Sequence, residues 1–233
     1  PISSVSHHIN VLVESRMVGV NYQPGPKGHM KLCSEMVTTV NIVCSRTEDF
    51  ESHNLFSYEM PVGMYSECRI FGNCGMSGCD QLLFPPDNPN NFYRIERKDA
   101  ELIWFSYGYL SYDFPNSLGE EVQLEEIVFS LEICSEIVYY RNAWPSDITF
   151  YINDIEILTY TSPGDFGGRR GVYTPAYWPA SSTQFGLLKK ISVNDSGSYL
   201  DDVYKGNTML KNLNIEPNKP IKFTIRIKED AKY

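Results

Sequence analysis

Residues 148–160 read ITFYINDIEILTY: Ile148–Ile152 and Ile155–Tyr160 are short β-branched and aromatic runs, and Asn153-Asp154 stands between them. Two residues that tolerate a left-handed backbone, between two strand-forming runs, predict an antiparallel hairpin. A second decisive stretch lies near the C-terminus. In 221–227, Ile221, Phe223, Ile225 and Ile227 alternate with Lys222, Thr224 and Arg226, the two-residue period of a half-buried strand. Working outward, Leu102–Phe105, Tyr109–Phe114 and a long run at Val122–Ile133 are further strand candidates. Short strands separated by Gly, Pro, Asn and Asp predict a mainly β domain over 47–233. The expected architecture is an antiparallel β-sandwich, jelly-roll-like and of the galactose-binding-like kind.

Composition agrees with this reading. The 233 residues contain 31 aromatics, 16 of them Tyr, which suit strand packing and also a surface that stacks on flat or sugar-like ligands. The net charge is −9, which argues against nucleic-acid binding by the whole chain. The charge is uneven, however. Residues 1–46 hold four basic and two acidic side chains, net +2, whereas the other 187 hold 16 basic and 27 acidic, net −11. No uninterrupted apolar run reaches membrane-spanning length, and no secretory leader pattern is present, so a cytoplasmic protein without membrane association is expected. The cysteines at 33, 44, 68, 74, 79 and 134 form no C-x-x-C pair and are expected to be reduced. Cys68, Cys74 and Cys79 cluster in CRIFGNCGMSGC, but their spacing fits no common zinc pattern. A glycine-rich loop with incidental thiols, and no metal, is the reading taken.

The first 46 residues have a different pattern. In 3–15, Val5, Ile9, Leu12 and Val13 fall on one helical face, with Ser3 or Ser4 as the cap. Val18–Tyr22 and His29–Cys33 read as two strands joined by Gln23-Pro24-Gly25-Pro26-Lys27-Gly28, a run of turn formers. Val37–Cys44 is a candidate for one more strand.

The stretch ISSVSHHINVLVESRMVGVNYQPGPKGHMKLC (2–33) resembles the recognition helix and wing of ArsR-type winged helix-turn-helix repressors, on the spacing of Val5, Ser6, His8, Ile9 and Leu12. The resemblance implies a partial DNA-binding domain at 1–46, with the preceding helices outside this sequence. Ser3, Ser4, Ser6, His7 and Asn10 would face bases and phosphates in the major groove, and Lys27 and His29 would meet the backbone or minor groove. It also implies operator DNA as a partner and a homodimer. The segments 100–115, 131–136, 144–157, 161–171 and 175–189 resemble a long C-terminal extension of some of these repressors, described as a sensor. The cysteine pair through which classical members sense metals has no counterpart in 1–17.

Within the larger domain, TSPGDFGGRRG (161–171) combines four glycines with Arg169 and Arg170, and Asp165 lies beside them. Tyr177, Trp178 and Gln184 follow, and Trp144 and Asp147 precede. Planar guanidinium donors, aromatic faces and hydroxyl-accepting groups are the composition of a sugar site. The eight residues Trp144, Asp147, Asp165, Arg169, Arg170, Tyr177, Trp178 and Gln184 are therefore the candidate ligand set, for a small-molecule effector with sugars among the candidates. Asp165 paired with an arginine, and Trp178 in the core, is the structural alternative. Glu132, Glu136, Asp147 and Asp165 offer carboxylates for glycoside hydrolysis, but no catalytic motif accompanies them. The expected function is a ligand-responsive transcription regulator without cofactor or catalysis. The alternative is a carbohydrate-binding module or glycoside-active enzyme that does not bind DNA.

Overall fold

A computed structural model describes residues 2–15, 17–25, 28–36 and 55–233. The chain divides into two compact units, Pro1–Leu55 and Phe56–Tyr233; the expected boundary at 46/47 lies outside the described residues. The strand expected at Val37–Cys44 lies outside the described residues, as does Lys27.

The first unit contains helix α1 (Ile2–Glu14) and the antiparallel strands β1 (Val18–Gly25) and β2 (Gly28–Glu35). The register pairs Tyr22 with Lys31 and Gly25 with Gly28, so the hairpin tip falls within the predicted Pro/Gly run. Helix and hairpin are linked through side chains: Lys31 Nζ donates to Asn10 Oδ1 at 2.9 Å. Only part of the apolar face is covered. Ile9 and Val13 are half-buried, while Val5, Val11 and Leu12 remain exposed, as do Tyr22, Met30 and Leu32 on the hairpin.

The second unit is mainly β. Strands β3 (Glu67–Ser77), β4 (Leu82–Leu83), β5 (Leu102–Phe114), β7 (Ser146–Ile152), β8 (Ile155–Ser162) and β12 (Ile221–Ile227) make a six-stranded sheet in the order β4-β3-β5-β12-β7-β8. Strands β6 (Glu126–Ile133), β9 (Leu187–Asn194), β10 (Gly197–Leu200) and β11 (Val203–Gly206) make a four-stranded sheet in the order β11-β10-β9-β6. Every strand pair is antiparallel. The chain passes between sheets after β5, β6, β8 and β11, which builds a two-layer sandwich rather than a meander.

The core between the layers follows from the alternation. Ile127, Ile191 and Val193 of the smaller sheet meet Phe150, Ile152, Ile157 and Phe223 of the larger one. Phe129 reaches across and stacks on Phe223 at 3.9 Å between ring centroids, with the planes 11° apart. A second core, under the β3–β5 end, gathers Tyr65, Ile70, Cys74, Met76, Phe92, Leu110 and Tyr112. Arg97 pins this end, donating to the carbonyls of Gly63 at 2.7 Å and Tyr65 at 2.6 Å.

The predicted 153–154 hairpin is present. Both turn residues are left-handed, Asn153 at φ 46° and Asp154 at φ 65°, the type I′ geometry that suits the strand twist. Three expectations are corrected. Leu102–Phe105 and Tyr109–Phe114 form one strand, because Gly108 at φ +117° carries the chain through where a side chain would meet the Arg69 carbonyl. The strand expected from Val122 begins at Glu126, since inward apolar alternation starts only at Ile127 and Val122 is exposed. CRIFGNCGMSGC is not a glycine-rich loop: most of it is β3, with a bulge between Phe71 and Cys74. Among the described residues no cluster of His, Cys, Asp and Glu could hold a metal ion, and no helix is long and apolar enough to cross a membrane.

Candidate ligand site

The eight predicted ligand residues are brought together only in part. Asp147 lies on β7 and accepts a hydrogen bond from the Thr161 hydroxyl of β8 at 2.6 Å. Trp144 lies in the connection from β6 to β7, and the other six belong to 163–186, the connection from β8 to β9, which is largely closed on itself. An isolated bridge joins Phe166 to Phe185, and their rings stack at 5.6 Å.

Gln184 is buried. Its side-chain amide donates to the carbonyls of Pro179 and Ser182, each at 2.8 Å, so it ties the loop instead of reaching a ligand. Asp165 is 0% exposed and likewise faces inward: its Oδ2 accepts from the Ile137 amide at 3.0 Å, while Oδ1 has no hydrogen-bond partner. Burial pushes its carboxyl above the ordinary range, and the Ile137 N–H only partly offsets this. The same burial raises Glu136, and Asp165 adds to the effect. Cys134, beside them, is pushed up to about 12, first by burial and then by Asp165. The pairing of Asp165 with Arg169, the structural alternative, is not formed.

Trp178 is half-buried, donating its indole N–H to the Thr183 carbonyl at 2.7 Å and packing edge-on against Trp104 at 5.8 Å. Tyr177, 37% exposed, donates to the Gly78 carbonyl at 2.8 Å and meets the Ser77 hydroxyl, which docks the loop onto the end of β3. Arg170 donates to the Pro175 carbonyl. Arg169 is exposed and lies over the Phe185 ring at 4.7 Å, and Trp144, 38% exposed, carries Arg141 over its ring at 5.1 Å. Arg169, Arg170, Trp144 and Tyr177 are thus the exposed members of the set, and the side chains of Arg170 and Tyr177 are each tied to a backbone carbonyl. Of the four carboxylates considered for hydrolysis, Glu132 accepts from the Gly186 amide at 2.6 Å, and Asp147 and Asp165 are engaged as above.

A concave surface with the expected chemistry lies elsewhere, on the outer face of the six-stranded sheet. A groove of about 550 Å³ is lined by Arg69 and Phe71 of β3, Tyr107 and Tyr109 of β5, Arg226 of β12, and Lys228. Phe71 and Tyr107 are register partners whose rings stack at 5.2 Å. Arg226 lies over Tyr109 at 4.9 Å and over Tyr151 at 5.2 Å, held between two rings. Tyr109 donates to Glu67 at 2.5 Å, and Lys228 pairs with Glu156 at 2.8 Å. None of these lining residues was in the predicted set. The available signal was the polar phase of Lys222, Thr224 and Arg226 along β12, although Thr224 itself is buried against Ser111. What it lacked was the neighbouring strand. A smaller cavity of about 260 Å³ is lined by Leu118, Val122, Leu124, Leu210 and Ile215 together with the polar Asn116, Glu120, Lys211 and Asn214.

In the first unit, Ser6, His7, Asn10 and His29 are exposed. Ser3 and Ser4 belong to the first turn of α1, and Lys27 lies outside the described residues. The His7 and His8 rings sit 5.6 Å apart. Comparison with known proteins returns no match to this chain, whether to a family model, a curated protein or a solved structure.

Proposed function

We propose that this chain is the DNA-reading end and the sensor of a ligand-responsive transcription regulator. One observation carries the reading: a helix runs directly into a two-stranded hairpin, and together they form a compact unit separate from the β-sandwich. That order of elements is the second half of a winged helix-turn-helix, in which the helix enters the major groove and the hairpin tip meets the backbone. The exposure of Ser6, His7 and Asn10 along α1 supports it, since base-reading groups must face solvent in the free protein. Lys31 occupies the Asn10 carbonyl oxygen and leaves the amide hydrogens for an acceptor on a base edge. The exposed Val5, Val11 and Leu12 supply apolar surface for a further element or a second protomer, as a dimeric reader requires. The sandwich supplies the sensor, because its groove combines guanidinium donors with aromatic faces. In this reading it is jelly-roll-like and galactose-binding-like, and the protein works in the cytoplasm without catalysing a reaction.

The test uses the natural gene product that carries these residues. Duplexes selected from a random pool should share a motif. His7→Ala and Asn10→Ala should each relax base preference at one position. Lys27→Ala should weaken all duplexes alike and lower the salt slope by about one. Ligand and operator should change each other's affinity by the same factor. Failure to enrich any sequence, or operator binding indifferent to all three changes, refutes the DNA-reading role.

A further inference from the structure

Residues Arg69, Tyr109 and Arg226 stand at one level across three adjacent strands, Arg69 opposite Tyr109 and Tyr109 opposite Arg226. Two strand spacings separate the arginines, so their backbones lie about 10 Å apart with the tyrosine between them. Like charges that face one sheet surface at this spacing are ordinarily offset by carboxylates. Among the described residues neither guanidinium has a salt bridge or a hydrogen bond, and each instead lies against aromatic rings. Lys228, the third cation, is already neutralised by Glu156. The ring contacts hold the guanidinium planes and leave their N–H edges unused, which lowers the ordering cost of binding.

We infer that the groove on the outer face of the six-stranded sheet binds a small monocarboxylate on a flat ring. The carboxylate would be clamped by Arg69 and Arg226, and the ring laid against the Phe71–Tyr107 pair. Two planar forks suit a carboxylate, which accepts paired N–H donors side by side. Phe71 and Tyr107 extend the groove along the strands from the arginines by one same-face step, so an acid group and a ring fit within one small molecule. The charge of the rim sets the ligand's charge. Glu229 and Asp230 line the same groove and balance the charge of Arg69 and Arg226 overall, which favours a single negative charge over a phosphate dianion or a dicarboxylate. Aromatic acids and sugar acids share this chemistry, and the test separates them. The inference rests on the sandwich being the sensor, but its experiment contains no DNA.

Isothermal titration of the full chain would use 4-hydroxybenzoate, glucuronate, methyl glucoside, inorganic phosphate and acetate. At least one of the two ring acids should give a saturable isotherm, and the stronger of the two names the source. Methyl glucoside should give none, and phosphate and acetate should bind at least tenfold more weakly. Arg69→Gln and Arg226→Gln should each lower affinity at least tenfold. Arg226→Lys should also lower it, because the charge is kept while the fork is lost. Tyr107→Ala should weaken the ring acids and leave acetate unaffected. Absence of binding by both ring acids, equal binding of the neutral sugar or phosphate, or unchanged affinity in Arg69→Gln would each overturn the proposal. Arg69 is exposed, so its variant decides the matter even if a change at the ring-flanked Arg226 disturbs folding. Carboxylate binding without operator binding would remove only the regulator reading, and operator binding without carboxylate binding only this one.

Discussion

Phe223→Ala should be among the most damaging single changes in the sandwich. The side chain is 4% exposed and joins the two sheets: it stacks on Phe129 of the opposite layer at 3.9 Å and lies 5.8 Å from Phe150 on its own sheet, both rings nearly parallel to it. Phe129 is held in turn by the edge of Phe114 at 5.3 Å. Truncating a buried Phe costs about 3–5 kcal/mol, from lost transfer energy and the cavity left behind. The stack adds roughly 0.5–1.5 kcal/mol per aromatic pair to the area burial, which places this site in the upper half of that range. For a unit of this size each kcal/mol lowers the midpoint by about 2–4 °C, so a loss of about 4 kcal/mol shifts Tm by roughly 8–16 °C. Phe223→Leu keeps most of the volume but none of the stacking, and should cost about 1–2 kcal/mol. Leu188→Ala, at a position 71% exposed on β9, should stay within about 0.5 kcal/mol and serves as the control. Urea unfolding followed by both tryptophan fluorescence and circular dichroism measures all three. A Phe223→Ala loss no larger than that of the Leu188 control would show that the stack does not clamp the layers.

Three further outcomes are expected. Asn153→Ala should destabilise by about 2–4 kcal/mol, because it forfeits a residue tolerant of φ 46°, the bond from Nδ2 to the Leu213 carbonyl and the bond from the Lys222 amide to Oδ1. Asp154→Gly in the same turn should be neutral or stabilising, and a urea series in which both variants behave alike would contradict the turn assignment. Burial holds the Asp165 and Glu136 carboxyls above their ordinary range, so the folded chain keeps these protons to higher pH than the unfolded chain does. Their stabilising effect is complete below the unfolded pKa and is lost as pH rises through the folded one. Asp165→Asn should therefore gain stability relative to the parent as pH rises above the ordinary aspartate range of about 4, and unfolding curves that stay parallel as pH is raised would refute the assignment. Native thiol titration should label the exposed Cys33 first and the exposed Cys79, whose thiol Asp80 pushes up, more slowly, while Cys134, pushed up to about 12, and the buried Cys74 should react only after unfolding. Prompt modification of Cys134 in the native protein would exclude the closed packing around Asp165.

The sequence by itself determined what local physics controls. The type I′ turn at Asn153-Asp154 was legible because few side chains accept two successive left-handed residues, and the strand at 221–227 because its period is two. Helix α1 and the hairpin after it were legible because an apolar 3.6-residue period is followed by two short strand-forming runs on either side of a Pro/Gly turn. Tertiary structure alone decided where the groove of guanidinium and aromatic groups lies. Asp165, Arg170 and Gln184 looked available because glycines and polar groups crowd their segment, but they turn inward or along the loop to satisfy the polar backbone of a long connection. Arg69, Tyr109 and Arg226 carry no local mark, being separated by 40 and 117 positions, and only strand pairing sets them side by side. Periodicity states which face of a strand a residue occupies. Which strands lie next to each other depends on how two sheets bury their apolar faces together, and that is a property of the whole chain.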